Sequence, residues 1–273
     1  MNPRDRIMEQ NLFPAKTKES NSQVDYINLV SEHTANKIKI KNIDCIQGMR
    51  SISDRSIDLI LTDPPYNLGL FMSNRQTNLR KMRENSFYSA GWDNSTMEEW
   101  LEHMEDFFSE AHRVLKKGGA LLMFMSILKI ESLIKISEKY KFYYKTTGIW
   151  HKKNPMPRNM NLHFVNSNEC WLYFLNNQKT GKFNNSKIEL DFIETSVTPQ
   201  NEKKFGKHPT QKPITLMEHF ISLLSDENDI VLDPFMGSGS TAVACKRLSR
   251  NFIGYELNAN YCNLAAKRIL HEK

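Results

Sequence analysis

The sequence predicts an α/β fold in which helices cover a mostly parallel sheet. Three features carry that expectation: short β-like apolar runs alternate with amphipathic helical runs, one such run passes directly into a glycine turn and a helix, and another ends abruptly at two prolines. The chain has 273 residues, 40% hydrophobic and 25% charged, enough for one large domain with or without a smaller appended one.

Residues 1–36 are polar and lack sustained periodicity, so an irregular N-terminal arm is expected there. Strands are predicted at 38–44, 57–62 and 120–125, with helices at 97–115 and 127–140. Residues 142–152 and 170–175 also read as strands, but the surrounding 153–206 is rich in Asn, Lys and Pro without helical spacing and reads as an insertion outside the sheet core. Alternation resumes with a helix at 214–224, a strand at 229–233, a helix at 238–248, a strand at 251–256 and a final helix from Ala259.

Thirty-seven Lys and Arg against 31 Asp and Glu give a net charge of +6, a modest basic excess that favours polyanionic partners. The four cysteines, Cys45, Cys170, Cys245 and Cys262, form no C-x-x-C pair and have no His at ligand spacing, so neither a zinc site nor a disulfide framework is expected. Without an apolar signal core or a membrane-length apolar run, the sequence reads as cytoplasmic.

In the segment from Asp229 to Ala242, Gly237 and Gly239 allow the backbone to approach a ligand where a Cβ would clash. The pattern Gly237-x-Gly239-x-x-Ala242 satisfies the dinucleotide fingerprint, so a nicotinamide enzyme is one reading. Asp233 opposes it: a carboxylate at the mouth of the turn would repel a pyrophosphate and pair with an α-ammonium. Glu256, 23 residues on at the end of the next apolar strand, stands where this architecture places an acid on ribose hydroxyls. An amino acid joined to a nucleoside describes S-adenosylmethionine. The alternative for each acid is structural, with Asp233 capping the turn and Glu256 a solvated strand end. No Walker-type G-x-x-x-x-G-K-[ST] loop occurs.

Residues 56–66 form a hydrophobic strand ending in Asp63-Pro64-Pro65-Tyr66. The prolines fix φ and offer no N–H, which leaves their carbonyls as acceptors in a rigid turn. An exocyclic amine on a nucleobase is a poor nucleophile because its lone pair is delocalised into the ring. Asp63 and a proline carbonyl, that of Pro64, could each accept one amino hydrogen and turn the lone pair toward a methyl donor. Tyr66, with Phe71, could wall a base flipped from the duplex.

With these residues in place, the sequence resembles the amino-methyltransferases of bacterial restriction-modification systems and related orphan DNA methylases. Asp63-Pro-Pro-Tyr66 preceding the Asp233-Pro-Phe235-x-Gly-Ser238-Gly turn is similar to the β class, in which the catalytic half comes before the cofactor half. The resemblance implies a Rossmann-like sheet, doubly wound, mostly parallel and with one reversed strand. It also fits the 17 residues left after Glu256, too few to complete such a sheet, so the missing strands are expected upstream.

By the same resemblance Lys207-His-Pro-Thr210-Gln-Lys212-Pro213 lines the cofactor pocket through Thr210 and Lys212, while Asp44 and Cys45 contact the adenine of the cofactor; read without the family, Asp44 is a helix cap. Asp63, Phe235, Gly237, Ser238 and Gly239 complete the implied cofactor set. Aspartate at position 63 resembles the adenine-N6 enzymes, where serine is usual in cytosine-N4 enzymes. The resemblance further implies a target-recognition role for 153–206, a homodimer as an expectation, and a possible cognate restriction endonuclease.

Two cationic clusters suit phosphates and base edges: residues 75–83 with Arg75, Arg80, Lys81 and Arg83, and residues 151–159 with Lys152, Lys153 and Arg158. A solvated surface is the alternative for each. A catalytically silent nucleic-acid-binding subunit is the remaining reading of the whole chain, and the intact Asp63, Tyr66, Gly237 and Gly239 argue against it.

Overall fold

A computed structural model describes residues 27–30, 36–67, 95–157, 164–185 and 187–272. Phe71, Arg75, Arg80, Lys81, Arg83 and Arg158 lie outside these residues. The described elements in chain order are β1 (Ile27–Val30), β2 (Lys37–Lys41), α1 (Cys45–Arg50), β3 (Ile57–Thr62), α2 (Met97–Val114), β4 (Leu115–Met125), α3 (Ile130–Lys139), β5 (Phe142–Lys152), β6 (Asn168–Asn176), β7 (Phe192–Thr195), α4 (Ile214–Leu224), β8 (Ile230–Asp233), α5 (Ser240–Arg247), β9 (Asn251–Tyr255) and α6 (Ala259–Leu270).

The strands form one nine-stranded sheet in the order β1-β2-β9-β8-β3-β4-β6-β5-β7. From β2 through β4 every pairing is parallel, and β6 runs antiparallel to both β4 and β5. This is the expected mostly parallel sheet with a reversed strand, and β1, antiparallel to β2, adds a second reversed strand at the edge. The expectation of a wholly irregular arm over 1–36 therefore gives way at 27–30. Those four residues gain backbone pairing with β2, which their weak periodicity did not announce.

The central strands have the composition of strands covered on both faces. In β3, Leu59 and Leu61 join one core layer with Phe220, Val243 and Ala265 from α4, α5 and α6, while Ile57 and Ile60 join the other with Met49, Met104 and Phe107 from α1 and α2. Helix α2 buries Trp100, Met104, Phe107, Phe108, Ala111 and Val114 at three- and four-residue spacing, and starts at a capping box in which Thr96 and Glu99 satisfy each other's backbone N–H groups.

The expectation that 153–206 lies outside the sheet core is corrected at β6. Cys170–Leu175 is an apolar run buried throughout, and only an interior sheet position covers such a run on both faces. It fills the gap between β4 and β5, in register from Ala120↔Leu175 to Met125↔Cys170. β7 also pairs with β5, so two strands of the supposed insertion belong to the sheet.

The order of connection reverses between β3 and β8, which are neighbours through Leu59↔Val231 and Ile60↔Leu232. At that point the chains leaving the two strands diverge, the position at which open α/β sheets form a ligand crevice beyond the carboxyl ends of their strands. Asp63 follows β3 and Asp233 ends β8, so the topology brings the two singled-out motifs together.

Candidate active site at the switch point

The turn after β8 is shaped by two glycines with positive φ, Gly237 at 54° and Gly239 at 77°. Gly239 is the left-handed N-cap residue of α5, and a Cβ there would stand 2.8 Å from Ala265 Cβ of α6. The turn is thus clamped between α6 and the sheet. Arg268 of α6 adds to the clamp: Nη1 donates to the Ser238 carbonyl at 2.6 Å and to the Ser238 hydroxyl at 3.0 Å. Burial pulls this guanidinium down to about 10, so charge is being held in the interior to fix the turn.

Glu256 reaches back to the same turn from the end of β9. One carboxylate oxygen accepts from the Gly237 N–H at 2.9 Å and the other from the Asn258 N–H at 2.8 Å. Burial raises its carboxyl above the ordinary range against these two donors. Its side chain is partly exposed, at the carboxyl edge of the sheet beside the glycine turn. His208, from the segment before α4, packs against Tyr261 with ring centroids 4.3 Å apart and lies 3.3 Å from where a Gly237 Cβ would be. Burial, reinforced by Lys212 and Arg268, lowers His208 to about 4, so it is a neutral wall of the turn.

Asp233 departs from its expected position. Its carboxylate is 4% exposed and lies beneath the turn rather than at its mouth. Thr62 Oγ1 donates to Oδ1 at 2.8 Å, Thr241 Oγ1 to Oδ2 at 2.7 Å, and the Phe235 N–H to Oδ1 at 3.2 Å. The residue ties the ends of β3 and β8 to α5, which is the capping alternative extended to tertiary scale. Phe235 itself turns its ring toward Phe107 at 6.0 Å between centroids.

Asp63 sits at the end of β3 with about a quarter of its side chain exposed, 24%. Tyr66 Oη donates to Asp63 Oδ1 at 2.9 Å, and the buried Lys212 ammonium is bonded to Oδ2. Pro64 is buried and Pro65 half-buried, so the turn is fixed on its inner side. Burial, with Glu169 adding repulsion, raises the Asp63 carboxyl, and Lys212 opposes the rise. Tyr66 is pushed up chiefly by burial and by the two carboxylates it faces, which keeps it a hydrogen-bond donor.

Glu169 was not legible as a site residue. It precedes the apolar run of β6 and stands 3.1 Å from Lys212 Nζ and 2.5 Å from Lys152 Nζ. Burial pushes its carboxyl up, but the two ammonium groups together outweigh burial and hold it at about 2. The available sequence signal was a lone acid at the mouth of a fully apolar strand.

The remaining expected residues are distributed around this crevice. Asp44 caps α1, its Oδ1 accepting from the Ile46 and Gln47 N–H groups at 3.0 and 3.1 Å, and Cys45 is buried beside it. Thr210 is exposed and Lys212 is directed at Asp63. Lys152, expected to contact DNA, is instead committed to Glu169, with its side chain 14% exposed. Lys153 is 55% exposed and pairs with Glu194 at 3.1 Å. Asn67 Nδ2 donates to the Ser95 carbonyl at 3.0 Å, which ties the residue after Tyr66 to the residue before the N-cap of α2.

A family model described as DNA methylase, of the N6/N4 type, matches residues 57–267, which includes every crevice residue above except Asp44, Cys45 and Arg268. Type II methyltransferase M2.LlaDCHI of Lactococcus lactis subsp. cremoris is 34% identical over 237 residues, covering 83% of this chain and 87% of that protein. Type II methyltransferase M2.DpnII of Streptococcus pneumoniae is 33% identical over 248 residues, covering 87% and 91%. Among solved structures, the M1.HpyAVI complex with S-adenosylmethionine superposes with a TM-score of 0.62 at 29% identity, covering 85% of this chain and 99% of that one. The cytosine-N4-specific PvuII DNA methyltransferase reaches 0.70 at 20% identity, a likeness of fold.

Proposed function

From the premise that the chain belongs to the N6/N4 DNA methylase family and is an S-adenosylmethionine-dependent methyltransferase, we propose that it methylates N6 of adenine in double-stranded DNA, with Asp63 as the acceptor that activates the amino group. The observation that carries the choice of residue is the arrangement at the end of β3: a partly exposed carboxylate on a double-proline turn, next to a tyrosine that donates to it. The donor set suits the cofactor. Glu256 is a carboxylate for ribose hydroxyls, the glycine turn beside it offers backbone without side chains, and Asp63 is kept for the target amine. S-adenosylmethionine supplies an electrophilic methyl group on its sulfonium.

Asp63 accepts one amino hydrogen and the Pro64 carbonyl the other, which pulls the nitrogen toward tetrahedral geometry and frees its lone pair from the ring for methyl transfer. Transfer of the methyl group that bound S-adenosylmethionine would supply would leave the nitrogen with one proton too many. Asp63, raised by burial, takes that proton. Tyr66 holds Asp63 until the acceptor arrives and lends its ring face to the flipped base. Target choice is assigned to residues 68–94 and 153–206. Lys153 remains a candidate phosphate contact from that side.

The test is transfer of labelled methyl from S-adenosylmethionine to unmethylated double-stranded DNA, followed by digestion and mass spectrometry of the nucleosides. N6-methyladenine is expected, reduced by at least about 100-fold in Asp63→Ala. Label in N4-methylcytosine keeps the mechanism and overturns the base. Absence of label despite cofactor binding overturns the enzyme reading in favour of a silent DNA-binding subunit.

A further inference from the structure

Glu169 Oε2 lies 3.1 Å from Lys212 Nζ and 3.3 Å from Tyr66 Oη. These are the same two donors that occupy the oxygens of Asp63. Its other oxygen, Oε1, is held by Lys152 Nζ at 2.5 Å. The four charged groups balance, two carboxylates against two ammonium groups, so a proton donor can pass between the carboxylates without creating net charge in the interior.

We propose that Glu169 is a positioning residue that takes over the Lys212 ammonium and the Tyr66 hydroxyl when Asp63 turns its carboxylate to the amino group of the acceptor. This rests on the reading of Asp63 given above. As the site stands, Oδ1 of Asp63 holds Tyr66 and Oδ2 holds Lys212, and an ammonium on a carboxylate competes with any amine for the same oxygens. Releasing Lys212 with no other partner would strand a buried ammonium. Glu169 removes that obstacle because Nζ is already within hydrogen-bond distance of it. The face of Phe124, 4.9 Å from Nζ, supports the ammonium between the two acids. Lys152 has a matching part: it keeps Glu169 ionised and fixed, so that it can receive the second cation.

The titratable and charged groups around the pair come from every neighbouring element: Tyr66 after β3, Lys152 of β5, Cys170 of β6, His208 and Lys212 before α4, and Asp233 of β8. Glu169→Gln keeps the shape but cannot hold Lys212 as an anion does. It should lower kcat by at least about tenfold while DNA KM and cofactor Kd stay within about threefold, and Glu169→Asp should recover part of the loss. In the cofactor-free protein, 13C-carboxyl NMR of labelled aspartate should show Asp63 titrating at lower pH in Glu169→Gln, because a repelling charge is gone and Lys212 belongs to Asp63 alone.

A kcat within about twofold of the unaltered chain overturns the proposal. So does a loss of kcat accompanied by equal losses of cofactor affinity and thermal stability with Asp63 titrating unchanged, which marks a structural role. If the unaltered chain transfers no methyl group to DNA, the reading of function fails instead, and the NMR titration alone decides whether the two acids share their donors.

Discussion

Asp233 shows how a single buried carboxylate can be both a structural tie and a pH-dependent load. Burial pushes it up to about 7, against the hydrogen bonds from Thr241, Thr62 and the Phe235 N–H. Between its ordinary value near 3.8 and about 7, the folded chain holds a proton there that the unfolded chain lacks. The associated stability is therefore fully present below about 4 and is lost as pH rises toward about 7, a difference on the order of 4 kcal/mol. Asp233→Asn should flatten the fall in Tm over that window. Its amide oxygen can keep Thr62 and the Phe235 N–H, and its amide nitrogen can donate to Thr241, whose own hydrogen can turn to Met217 Sδ at 3.7 Å. Calorimetric scans from pH 4 to 8 check this, and parallel curves for the two proteins would remove Asp233 as the cause. The same variant separates the two roles the sequence allowed. A tie leaves cofactor affinity within about threefold, whereas loss of an ammonium partner would cost about tenfold or more.

At the scale of elements, the turn between β8 and α5 divides its two glycines by task. Gly239 has a left-handed φ and no room, with Ala265 Cβ 2.8 Å from the position of an added Cβ, so Gly239→Ala should destabilise the fold by about 1–3 kcal/mol in thermal unfolding. Gly237 is also left-handed, but its nearest neighbour would be the edge of the His208 ring at 3.3 Å, so Gly237→Ala should cost less stability and more cofactor affinity. The reverse ranking by calorimetry and ligand titration would show the division to be wrong. Elements of this kind were legible because the information is local: strand, glycine turn and helix follow one another in sequence, as do the apolar run of β3 and the prolines after it. The interior place of β6 was not, since Cys170–Leu175 could be recognised as a strand without any sign that it lies between β4 and β5. Glu169 was hidden for the same reason. Its partners Tyr66, Lys152 and Lys212 are distant in sequence and meet only through the sheet order.

For the whole molecule, the sheet order places the carboxyl ends of β2, β9, β8 and β3 side by side, and each is followed by one of the residues assigned to the cofactor: Asp44, Glu256, the Gly237–Gly239 turn and Asp63. A ligand bound across that edge touches segments from both the early and the late parts of the chain. It should therefore stabilise the fold as a unit rather than one half of it. At a concentration of about 100 times Kd, a ligand that binds only the folded chain adds roughly 2.7 kcal/mol, which for a domain of this size raises Tm by about 5–10 °C. S-adenosylmethionine and S-adenosylhomocysteine should both give that shift, and NADH should give none, because the carboxylates of Asp63 and Glu256 along that edge repel a pyrophosphate. Hydrogen exchange locates the effect. Protection is expected at residues 42–46, 62–66, 235–239 and 254–258 together, since one ligand bridges all four. Protection confined to 235–258 would mean that the early segments do not take part in binding, and that the resemblance of Asp44 and Cys45 to adenine-contacting residues does not extend to their role.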